Sequence, residues 1–206
     1  DNKYFINDLF EAIKKNCVED KKIIEGFNNP NYRNEYKMIS NNPIYYEVKF
    51  SYEIPGIEEF DESLVKGVLK DYENKIKEIS YDILASKVLE ELISNKEMDK
   101  YVIKIDKGLK KAGLLRLFDN KYLKEFVKIL VPYEEEIKYQ NLIKDYKEIG
   151  MSFIYKYDSN ENVNPTMFVN DMELLVNKEF INNNLDNQIS FDKMNIKLVV
   201  KNKEEE

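Results

Sequence analysis

The chain has 206 residues, and 32 lysines and arginines against 39 aspartates and glutamates give a formal net charge of −7. It contains no histidine, no tryptophan and one cysteine, Cys17. These counts exclude the usual structural zinc sites, an intramolecular disulfide, and Ser-His-Asp or Cys-His catalysis by this chain alone.

Phe5, Ile6, Leu9, Phe10 and Ile13 recur at helical spacing and predict an amphipathic helix over 2–16. A shorter helical piece is expected over 19–27, ended by Asn28-Asn29-Pro30. Cys17, after the first apolar stripe, reads as a small buried hydrophobe. Residues 28–43, rich in Asn and Tyr and bracketed by Pro30 and Pro43, read as a loop. The clearest strand covers 44–54, where Tyr46, Val48, Phe50, Tyr52 and Ile54 alternate with Glu47, Lys49, Ser51 and Glu53. One apolar and one polar face is the pattern of an antiparallel sheet, and Pro55-Gly56 stops the strand.

Asp61 is suited to cap a long helix running to Ser94, with a break near Ser80. Tyr101–Ile105 reads as a short strand, and Gly108 and Gly113 flank a helical piece. Tyr122, Leu123, Phe126, Val127 and Leu130 suggest another amphipathic helix, stopped at Pro132. A further helix begins near Tyr133, carries the stripe Ile137, Leu142, Ile143, Tyr146 and Ile149, and closes at Gly150. Then the pattern changes. Met151, Phe153, Tyr155 and Tyr157 alternate, a turn-rich stretch spans 158–162, and a strand is expected over 167–176 with a bulge at Asn170-Asp171. After the polar, Asn-rich segment 177–188 comes a last strand over 189–200 and a charged tail, 201–206.

This order predicts a single α+β domain over 1–206: helical 1–43, a strand at 44–54, mostly helical 57–149, and antiparallel strands in 151–200. The early strand joins the later three in an antiparallel sheet of about four strands, packed against the long helix, with additional N-terminal and central helices. In outline the order resembles cystatin-like and NTF2-like α+β folds, without any family motif.

Candidate chemistry is sparse. The acidic runs 58–62 and 134–136 complement helix starts, so no metal site is assigned. Asp158-x-Asn160-x-Asn162 opens like a calcium loop, but Val163 and Val169 stand where that loop needs glycine and glutamate, and a hairpin connection fits better. Six scattered glycines provide neither a phosphate loop nor a dinucleotide fingerprint, and no cofactor is expected. The 30 lysines and 24 asparagines look like the codon usage of an AT-rich genome, which weakens the meaning of any Lys or Asn cluster. With only two arginines, Arg33 and Arg116, and an acidic balance, nucleic acid is not an expected partner. The remaining candidate surface is an aromatic sheet face made by Tyr46, Phe50, Tyr52, Tyr155 and Tyr157, suited to a small apolar or peptide ligand or a protein partner.

The function expected from these features is a non-enzymatic binding or interaction domain. The chain starts at Asp1 and has no apolar run of bilayer length, which suits the soluble extracytoplasmic part of a bacterial lipoprotein or secreted protein, held to a membrane only by an upstream lipid anchor. The alternatives are a cytoplasmic or phage-encoded inhibitor, immunity or assembly protein, and a carboxylate-dependent hydrolase.

Overall fold

A computed structural model of the chain describes residues 31–53, 79, 81–91, 93–94, 100–106 and 123–203. The expected helices over 2–16 and 19–27, Cys17, the start of the long helix at Asp61, its break near Ser80 and the piece between Gly108 and Gly113 lie outside these residues. The chain divides into two compact units, one of residues 1–35 and 50–84 and one of residues 36–49 and 85–206. Among the described residues of the first, the Phe50 ring stands edge-on to Tyr81 at 4.9 Å, and Arg33 pairs with Glu35 on the surface.

The sheet has seven strands in chain order: β1 (Asn31–Asn41), β2 (Ile44–Glu53), β3 (Lys100–Lys104), β4 (Val127–Pro132), β5 (Ser152–Lys156), β6 (Glu173–Val176) and β7 (Lys197–Val200); residues 31–35 of β1 and 50–53 of β2 fall in the first unit and the rest in the second. Strands β2 to β7 pair in parallel throughout. The expected four-stranded antiparallel sheet against a long helix, and with it the cystatin-like or NTF2-like outline, is therefore incorrect. The strands form a mixed sheet curled into a half-barrel, accompanied by short helices.

The physical reason lies in the strand interiors. An antiparallel sheet with one wet face leaves every second residue exposed, whereas parallel strands are covered on both faces. In β4 Val127, Ile129, Leu130 and Val131 are all buried, and in β6 every residue is. In β5 the alternation of Phe153 and Tyr155 marks one face, but Ile154 on the other face is also fully buried. Parallel neighbours need long crossovers. They are supplied by helix α1 (81–91) ahead of β3, α2 (Leu123–Phe126) ahead of β4, α3 (Gln140–Glu148) between β4 and β5, and α4 (Lys178–Asn183) and α5 (Gln188–Lys193) between β6 and β7.

The segment expected as a helix over 122–130 is thus one turn of α2 followed by β4. The loop expected over 28–43 contains β1, and the final strand is shorter than expected because 188–193 is helical. The turn-rich segment 158–162 does not join a hairpin, since β5 and β6 run parallel. The helix expected from Tyr133 begins only at Gln140, after a 3₁₀ turn at Tyr133–Glu135, but its closure at Gly150 agrees with expectation. The φ of Gly150 is +84°, its N–H donates to Lys147 O at 3.0 Å, and Met151 N–H donates to Tyr146 O at 3.1 Å. That pair of bonds is the Schellman cap, which needs a residue in the left-handed region and so favours glycine. Ile137 stands apart from the expected stripe, 81% exposed ahead of α3.

The curl has an apolar centre to which neighbouring strands contribute one residue each: Tyr45, Val102, Leu130, Ile154, Leu175 and Val199 of β2 to β7, with Ile39 of β1 against them. The two edges of the curl meet at its carboxyl end. Lys201 forms an antiparallel bridge with Ser40, and Asn202 N–H donates to Ile39 O at 2.8 Å. The outer face carries Tyr155 and the aromatic layer around it. Burial raises the Tyr146 and Tyr155 hydroxyls to about 12, with nearby carboxylates adding to the effect. Both phenols are neutral in either state below pH 10, so their contribution is fully present there. Above pH 10 the unfolded chain ionises first, and stability falls as pH approaches 12. A rise of about two pKa units corresponds to about 3 kcal/mol for Tyr155. Denaturant titrations between pH 9 and 12 should show this loss, and Tyr155→Phe should reduce it to the share of Tyr146.

Candidate functional site

Because side chains alternate along a strand, the residues two positions beyond the apolar centre point into the same concavity at the carboxyl ends of the strands. In β3, β5 and after β7 these are Lys104, Lys156 and Lys201. They stand on alternate strands, about 10 Å apart along an uncurled sheet, and the curl turns all three toward the groove. Pro132 ends the strand between the first two.

The resulting groove is open and has a volume of about 980 Å³. Its floor is apolar, formed by Leu130 and Leu175, and Met38 and Ile39 of β1 line one wall. Six lysines line it against four carboxylates, so a chain with net charge −7 here carries a local excess of cations. Lys201 is the one lysine of the groove that pairs with a carboxylate among the described residues, joining Asp158 just after β5. Lys37, Lys49, Lys104 and Lys156 make no ion pair among the described residues. Glu47 of β2 and Glu134 and Glu135 of the 3₁₀ turn Tyr133–Glu135 supply the other carboxylates. Among the described residues no group of three or more Asp, Glu, Cys or His side chains is placed to hold a metal ion. No helix among them is long and apolar enough to cross a membrane.

The loop beyond β5 that brings Asp158 to the groove is fixed by asparagines. Asn177 Nδ2 donates to Asn160 Oδ1 at 2.9 Å, Asn183 Nδ2 donates to Asn160 O at 2.8 Å, and Asn162 Nδ2 donates to Asn183 O at 2.8 Å. The residues that open like a calcium loop are therefore used to fasten the crossover to α4.

The five aromatic residues expected to share a face are placed as follows. Tyr46 is half-buried beside Tyr101, ring centres 6.2 Å apart, on the face of β2 away from the groove. Phe50 belongs to the first unit, against Tyr81, and Tyr52 lies in β2 with its side chain outside the described residues. Tyr155 is only 4% exposed. Tyr157 is enclosed by rings, 5.4 Å from the centres of Tyr133, Phe168 and Phe180. Strands β3 and β4 stand between Tyr46 and Tyr155 of β5, with Tyr157 just beyond that strand, so these side chains form no common cleft. The signal that points to the groove is a lysine closing an apolar run, as in Val102-Ile103-Lys104, Phe153-Ile154-Tyr155-Lys156 and Leu198-Val199-Val200-Lys201. Comparison with known protein families, curated proteins and solved structures finds no match.

Proposed function

We propose that this chain is a non-enzymatic binding domain whose ligand is a small organic anion with more than one carboxylate or phosphate group, held at the carboxyl ends of the parallel strands. The observation that carries the reading is the set of inward lysines on alternate strands, Lys104, Lys156 and Lys201, around an apolar floor. In open and curled parallel sheets the carboxyl ends are where ligands settle, because loops there vary while the strands hold position. A concave, low-dielectric wall also focuses the field of the lysines onto a bound anion. The floor of Leu130 and Leu175 accommodates the ligand's carbon skeleton, and charge fixes its orientation.

Calorimetric titration with citrate and inorganic pyrophosphate tests this. Either probe is expected to bind in a salt-dependent manner, and Lys104→Gln with Lys156→Gln should weaken binding about tenfold or more, at least 1.4 kcal/mol. Absence of binding by both probes, or equal binding by the double variant, would overturn the reading.

A further inference from the structure

At the opposite, amino ends of the same strands lies a second charge cluster that the groove does not use. Its members are Lys100 of β3, Lys128 of β4, Glu173 of β6 and Lys197 of β7, with Tyr45 of β2 beside them. Three cations face one carboxylate. Both oxygens of that carboxylate are taken: Lys128 binds Oε2, while the Tyr45 hydroxyl donates to Oε1 and Lys197 approaches it at 3.8 Å. Lys100 is left over. It is half-buried, makes no ion pair among the described residues, and its Nζ lies 5.9 Å from the centre of the Tyr45 ring.

We propose that Lys100 is a reactive amine of this fold, a modification site for small carbonyl compounds. A lysine becomes nucleophilic when its surroundings disfavour the ammonium form, and a partly desolvated position beside other ammonium groups does so. Burial lowers the basicity of Lys100 first, then repulsion from Lys128 and Lys197, and Glu173 and Glu125 oppose this only in part. The neutral nitrogen adds to the carbonyl carbon of an aldehyde, the adduct loses water, and a C=N bond replaces C=O. Hydride from cyanoborohydride then reduces that imine to a stable secondary amine. The reaction depends on the amino-end cluster alone, so it stands or falls separately from anion binding in the groove.

The experiment uses the full chain, limiting ¹³C-formaldehyde with cyanoborohydride near neutral pH, and peptide mass spectrometry of each lysine. Lys104, on the same strand and exposed, is the internal reference. Lys100 should be labelled faster than Lys104, because its surroundings disfavour the ammonium form. Lys197→Gln, at a half-exposed position, should slow Lys100 toward the reference and leave Lys104 unchanged. The ¹³C-methylamine signal of Lys100 should titrate below the range of an ordinary lysine. Labelling of Lys100 at or below the rate of Lys104 would overturn the proposal, as would a Lys197→Gln chain in which the ratio is unmoved.

Discussion

Glu173→Gln is expected to destabilise the second unit by about 3–4 kcal/mol, a loss that unfolding in denaturant would measure directly. The Glu173 side chain is 10% exposed and that of Lys128 is 12% exposed, so both charges have left water for each other. Removing the negative charge leaves the largely desolvated Lys128 ammonium without a counter-ion, and the cost is that of an uncompensated buried cation rather than of one lost hydrogen bond. Lys197 adds little to this sum, because it is half-exposed and water screens its pairing. The amide retains an acceptor for the Tyr45 hydroxyl, so the loss isolates charge from hydrogen bonding. Replacing both charges, Lys128→Met with Glu173→Gln, should recover most of the loss, since no charge is left buried and the amide still accepts from the Tyr45 hydroxyl. If the double replacement is as unstable as the single one, the pair is required for packing around Tyr45 rather than for charge balance.

The same cluster explains what the sequence conceals. A lone glutamate before Leu174-Leu175-Val176 reads as the polar edge of a strand, and nothing local announces that strands far apart in the chain place lysines around it. Strand β2 was legible because its alternation over 44–54 is local. Strand β4 was not, because Val127, Leu130 and Val131 also fit the three-and-four spacing of a helix, and short apolar runs satisfy both periods. The β-branched content of 127–131 was the available discriminant, since valine and isoleucine lose rotamer freedom in helices and pack well on pleated surfaces. Strand β1, Asn31–Asn41, carries no such signature. Its asparagines and charges disfavour strands locally, and pairing with β2 and closure against residues 201–202 place it in the sheet. The groove was hidden for a further reason. Lysines are so numerous that a strand-end lysine looks like background, and only the parallel arrangement makes three such ends converge.

Asparagine is the other abundant residue, and here the background and the structural role separate cleanly by position. Asn184 is 3% exposed and uses its whole amide: Nδ2 donates to Glu161 O at 3.0 Å and Phe180 O at 2.8 Å, while Oδ1 accepts from Val163 N–H at 2.9 Å and Asn187 Nδ2 at 3.0 Å. It therefore ties the end of α4 to the crossover after β5, and with it the loop that carries Asp158 to the groove. Asn184→Ala removes a partner from the buried bond to Phe180 O and from the part-buried bonds to Glu161 O, Val163 N–H and Asn187 Nδ2. At about 1–3 kcal/mol for each stranded buried group, partly relieved by relaxation, the expected loss is about 3 kcal/mol. Asn184→Asp should cost at least as much. It keeps the acceptor for Val163 N–H but turns a negative oxygen toward the Glu161 and Phe180 carbonyls, and the difference between the two variants measures that repulsion. Asn141, exposed on α3, is the contrasting case. Asn141→Ala should change stability by less than about 0.5 kcal/mol, with alanine's helix propensity favouring the variant. Equal effects at Asn184 and Asn141 would mean that the amide network contributes no more than the compositional background, and that Asp158 is held by other contacts.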